Sequence, residues 1–105
     1  MEQPNLEYIN QLAGDNQEFK SKIIAILKKE LPEEIELYKN YINNTNYVLA
    51  AGSVHKLKHK ISIFGLEKSY YIAEEFEENL KENSTHLQSD FESILKRMQD
   101  FLDSL

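Results

Sequence analysis

Four interruptions, at Gly14-Asp15, Asn43-Asn44-Thr45-Asn46, Gly65 and Asn83-Ser84-Thr85, divide the chain into five segments. Within each segment the apolar residues recur at intervals of three and four, which places them on one side of an α-helix, and no stretch shows the sustained alternation of a strand. A chain of 105 residues supports one modest core and not two. Short loops between amphipathic helices make neighbours antiparallel. The expected fold is therefore all-α, an up-down antiparallel four-helix bundle with a short extra N-terminal helix, forming one domain over residues 1–105.

In chain order, Asn5 is placed to cap a short helix bearing Leu6, Ile9 and Leu12 and ending at Gly14. A second helix is expected from about Asn16 to Asn43, with Phe19, Ile23, Ile26, Leu27, Leu31, Ile35, Tyr38, Tyr41 and Ile42 on its apolar face. Pro32 removes one hydrogen bond from it. The apolar stripe passes through the proline in phase, so one kinked helix is favoured over two. The third helix should run from Tyr47 to Phe64 and stop at Gly65. A fourth, from Glu67 to Glu82, buries Leu66, Tyr70, Ala73, Phe76 and Leu80, with Ile72 at its border. In the last, from Leu87 to Leu102, the residues Leu87, Phe91, Ile94, Met98, Phe101 and Leu105 form a seam of alternating steps of four and three.

Composition removes several classes of function. There is no cysteine, so disulfides, thiolate metal sites and cysteine nucleophiles are excluded. A net charge of −6 argues against affinity for nucleic acid, which comes from neutralising phosphates with Lys and Arg. No apolar run is long enough for a membrane span, and Met1-Glu2-Gln3-Pro4 lacks the basic and apolar regions of a signal peptide. A cytoplasmic, monomeric protein is the expectation, and the Met1 start favours a stand-alone protein.

The charge is unevenly spread. Lys56, Lys58 and Lys60 stand together with no acid among them, while the next helix carries Glu67, Glu74, Glu75, Glu77 and Glu78. A small basic spot on an acidic body suits a small anion or an acidic pocket on a partner. Lys56 and Lys60 are expected to solvate a helix face. On the third helix, Ala50, Val54, Leu57, Ile61 and Phe64 share the arc that faces a core. His55 falls beside that arc, held by a packed helix and still presented to water. Ile63 points away from the arc on the side of Gly52, His55 and His59.

Val54-His55-Lys56-Leu57-Lys58, with Gly65 ten residues after His55, resembles the signature of histidine-containing phosphotransfer domains, in which an active histidine is followed by x-Leu-Lys-Gly and by a glycine at that distance. Similarity extends to Leu6, Ile9 and Leu12 before Gly14-Asp15, Phe19 four residues later, Leu31-Pro32 inside the long helix, and Phe76-Glu77 where the family often has Leu-Glu. The chain departs from the family at His59, which stands where a small residue, most often glycine, makes room for an incoming receiver domain. The resemblance implies that His55 accepts a phosphoryl group from a receiver phospho-aspartate and passes it to another receiver, with Lys58 stabilising the phosphoryl oxygens. It also implies response-regulator receiver domains as partners, including one of a hybrid histidine kinase. The magnesium ion is expected on the receiver, and no cofactor is expected on this chain. Gly52, His59, Ser62 and Ile63 are assigned to docking.

The chemistry is coherent on its own terms, because a neutral imidazole nitrogen is a competent nucleophile and a nearby lysine offsets phosphoryl charge. No glycine-rich phosphate loop provides for ATP. Three alternatives stand beside this reading: a helical adaptor without phosphocarrier chemistry, a phosphotransfer-like inhibitor that only binds, and a metal site. His55 and His59, four apart on one helix, could share an ion, but a zincin needs Glu where Lys56 stands, and Lys58 and Lys60 would repel a cation.

Overall fold

The computed structural model describes residues 2–105. Among these the backbone forms five helices and no strand: α1 (Glu7–Ala13), α2 (Gln17–Asn43), α3 (Tyr47–Ile63), α4 (Glu67–Lys81) and α5 (Gln88–Asp103). The starts of α1, α2 and α3 each have an asparagine that accepts an otherwise orphaned N–H group. Asn5 Oδ1 accepts from the Glu7 N–H at 3.0 Å, Asn16 Oδ1 from Phe19 at 2.9 Å, and Asn46 Oδ1 from Leu49 at 3.4 Å. None of α4's own residues caps it with a side chain. Glu2 does this from a distance: its carboxylate accepts from the N–H groups of Lys68 at 2.7 Å and Ser69 at 2.9 Å.

Helix α2 runs unbroken through Pro32. The proline is exposed, and Leu27, Leu31, Tyr38 and Ile42 on either side of it are buried. Phe19 and Ile26 depart from expectation and stand in solvent. They lie about 80° and 100° round the helix from Leu27, beyond the edge of the buried arc. Leu12 on α1 is likewise exposed, and Ala13 takes its place beside Ile9.

The seam of α5 also differs from the expected one. Phe91, Ile94, Leu95, Met98 and Leu102 are buried, Leu87 and Phe101 only half-buried, and Leu105 exposed. A straight helix turns every 3.6 residues rather than 3.5, so a strict four-three pattern drifts off the core by about 20° per heptad. The buried row becomes Phe91, Leu95, Met98 and Leu102.

Helix contacts run from α2 to α3, α3 to α4, α4 to α5 and α5 back to α2, with α1 laid on α2. The core inside this ring includes Tyr38, Phe76 and Phe91, one ring from each of α2, α4 and α5. Tyr38 meets Phe91 edge-on at 5.2 Å between centroids and Phe76 at 6.3 Å. Such pairs add about 0.5–1.5 kcal/mol each beyond the burial itself. The Tyr38 hydroxyl donates to Glu92 Oε2 at 3.0 Å, and burial together with that carboxylate pushes its pKa up. Among the described residues no helix is long and apolar enough to cross a membrane.

Two features fix the lower end of α3. Gly65 has φ +73°, which the turn reserves for glycine, and a Cβ added there would come within 2.7 Å of the Asn5 amide and displace that side chain. The Asn5 N–H donates to the Phe64 carbonyl at 3.0 Å, tying the same segment to the turn.

Candidate functional site

Helix α3 is clamped from two sides, and the clamps decide which of its polar residues remain free. On its α2 side, Lys60 Nζ lies 2.6 Å from Glu34 Oε2 and 3.2 Å from Glu30 Oε1. Its side chain is 12 % exposed, which corrects the expectation that it solvates a helix face. Burial alone would lower the Lys60 pKa, but the hydrogen bonds and charges of Glu34 and Glu30 outweigh it and raise the pKa. On the α4 side, Lys58 Nζ donates to Glu77 Oε1 at 3.1 Å, both side chains being 10 % exposed. The Lys58 ammonium also lies 5.6 Å from the centre of the Tyr70 ring.

His55 stands between these clamps, its side chain 53 % exposed while Val54 and Leu57 beside it are fully buried. Its Nδ1 lies 3.3 Å from the same Glu77 Oε1 that holds Lys58. An ionised carboxylate only accepts, so the contact places a proton on Nδ1, and in the neutral ring the lone pair is then on Nε2. Burial alone would raise the Glu77 pKa. The hydrogen bonds from Lys58 and then His55, with their charges, more than compensate and hold it below the ordinary carboxylate value. Lys81 Nζ, 3.4 Å from Oε2, completes the surroundings of this carboxylate.

Glu77 is the member of the site that the sequence reading did not assign. It is one of four acids within five residues, Glu74, Glu75, Glu77 and Glu78. Only Glu77 lies close to the buried arc of Ala73, Phe76 and Leu80, about 40° from Ala73, and that placement is the signal that singles it out.

The remaining predicted residues fall into two groups. Gly52, His59 and Ser62 are exposed on the same side of α3 as His55. A Cβ added at Gly52 would meet nothing within 4 Å, so no packing within the chain requires glycine there. The rings of His55 and His59 lie 5.0 Å apart and perpendicular. Next to them, His59, Ser62, Gly65, Glu67, Tyr70 and Tyr71 line a hollow of about 440 Å³ between α3 and α4. Ile63 differs: it is half-buried and packs against the core, rather than standing free as an apolar anchor. Tyr70, expected in the core, is half-buried.

The arrangement offers one exposed imidazole with a defined tautomer, a buried ammonium beside it, and a carboxylate joining the two. Compared with known proteins, the chain matches no family model, no curated protein and no solved structure.

Proposed function

We propose that this chain is a histidine phosphotransfer protein of a phosphorelay, taking a phosphoryl group from a receiver-domain phospho-aspartate onto His55 and passing it to a second receiver. In this reading α2 to α5 form an up-down antiparallel four-helix bundle, for which the closed ring of helix contacts is the support. The protein acts as a cytoplasmic monomer and meets its receivers across the exposed side of α3. The observation that carries the proposal is the Glu77 carboxylate on Nδ1 of an exposed histidine whose helix is otherwise packed.

The step follows from that contact. The Nε2 lone pair attacks phosphorus, the bond from phosphorus to the aspartyl oxygen breaks, and the receiver recovers its carboxylate. The ring acquires positive charge on forming the N–P bond. That charge lies against Glu77, which stabilises it as a buried carboxylate does in other histidine sites. In onward transfer a receiver carboxylate attacks phosphorus, and the N–P electron pair returns to Nε2. Lys58 sits three residues from His55 and is held by Glu77 in the free protein; in this reading it offsets phosphoryl charge by turning from Glu77 to the phosphoryl oxygens.

Two observations favour a second reading. Lys58 is already engaged by Glu77, and His59 occupies the approach to His55, which suits a module that binds receivers without exchanging phosphate. A single experiment separates the two: incubate the chain with a panel of phosphorylated receiver domains and follow acid-labile, base-stable label. Label on this chain supports the carrier, and binding without label supports the inhibitor or adaptor.

A further inference from the structure

We propose that His55 and His59 together chelate one borderline divalent cation, of the zinc and copper kind, and that the ion takes the same Nε2 that would accept the phosphoryl group. The second half rests on the function proposed above; the first rests on geometry alone. The two imidazoles are exposed, four residues apart on one helix face, with ring centres 5.0 Å apart. That spacing lets two histidines share an ion. With Nδ1 turned to Glu77, His55 presents Nε2, and a carboxylate behind an imidazole orients the ring and raises its basicity toward a metal. His59 makes no hydrogen bond among the described residues, so turning its ring from the perpendicular to the shared position breaks none.

The lysines that argue against a cation in the sequence are neutralised in the fold. Lys58 is committed to Glu77, and Lys60 lies on the α2 side between Glu30 and Glu34. Lys56 is exposed and lies about 100° round the helix from His55 and about 60° from His59, so its charge is the one that stays near the site, screened by solvent. Among the described residues no group of three or more metal-ligating side chains is assembled. The site is therefore a two-residue chelate, with water or a partner's group completing the coordination. Imidazole donors favour copper over zinc and leave magnesium unbound.

The test is calorimetry on the full chain with zinc chloride, copper chloride and magnesium chloride, alongside the imidazole signals by NMR. The expected result is one zinc or copper per chain, copper tighter, with His55 and His59 perturbed together and His86 unchanged. His55→Gln and His59→Gln should each weaken zinc at least tenfold, and Glu77→Gln about tenfold, as loss of an outer-shell partner does. Zinc affinity unchanged in His59→Gln, or perturbation confined to His86, overturns the chelate. Competition is read as the slowing of label uptake by zinc, each protein against its own metal-free rate. Slowing in the wild type and none in His59→Gln supports it, and equal slowing in both overturns it. A chain that binds zinc through both histidines yet takes no label from any receiver overturns the carrier reading and the competition, and leaves the chelate standing.

Discussion

The Glu77 carboxylate on α4 touches two residues of α3 through one oxygen, His55 Nδ1 at 3.3 Å and Lys58 Nζ at 3.1 Å. The residue that places the histidine's Nδ1 proton thus also anchors Lys58. Changing Glu77 should disturb both partners at once.

Glu77→Gln keeps the shape and removes the charge. Lys58 then lacks its counter-ion, and a hydrogen bond to a charged group of this kind contributes about 1.5–3 kcal/mol. A loss of that size is expected at pH 7 in denaturant unfolding, along with slower phosphoryl transfer. The Glu77 pKa is lowered by folding, so its contribution is fully present above the ordinary carboxylate range and disappears as pH falls through the folded value. Wild type and variant should draw together as pH falls below the ordinary carboxylate range and converge once it has passed through the lowered folded value. A constant gap down to pH 2 would show that the charge is not what matters.

Lys58→Ala is expected to slow transfer without abolishing it, because the nucleophile remains. Arginine should restore the rate only in part, since its planar fork does not fit a site shaped for a compact ammonium. The variant also uncovers a buried carboxylate, so the Glu77 pKa should rise, which carboxylate NMR would show. An unchanged transfer rate would reduce Lys58 to a tie between α3 and α4.

How much of this was legible in the sequence depended on distance along the chain. The helices and the mount of His55 are properties of single segments, carried by the periodicity of Val54, Leu57 and Ile61 and by the turn at Gly65, and they stand where expected. The partners of Lys58 and Lys60 lie 19 and 26 residues away on other helices, and single-helix periodicity carries no information about which acid faces which base. Ile63 points away from the buried arc of its own helix and is still half-buried, while Ile26, counted on the apolar face of α2, stands in solvent; in both cases the neighbouring helices decide between core and water.

Ile63→Asp should cost stability as well as receiver affinity. The side chain packs against the core while half-buried, so placing a carboxylate there is expected to destabilise by more than about 1 kcal/mol. Thermal melting checks this directly. A variant as stable as wild type but weak in receiver binding would restore Ile63 as a free docking anchor.

Glu2→Ala should loosen the start of α4. The carboxylate satisfies the N–H groups of Lys68 and Ser69 and also accepts from the Ser69 hydroxyl at 3.1 Å. Burial alone would raise its pKa, but these hydrogen bonds lower it overall. The expected loss is about 1 kcal/mol at pH 7, the usual worth of a cap, and it should vanish as pH falls through the lowered folded value. Hydrogen exchange at Lys68 and Ser69 reports the same event locally, and unchanged protection there would remove Glu2 as the cap.

The most direct test of the central claim is long-range 15N–1H NMR of the histidine rings, recorded before and after exposure to a phosphorylated receiver. Free protein should show the His55 proton on Nδ1, and treated protein should carry phosphorus on His55 Nε2, with His59 and His86 unmodified. Phosphorus on His59 or on His55 Nδ1, or a His55 ring protonated on Nε2 in the free protein, would contradict the account.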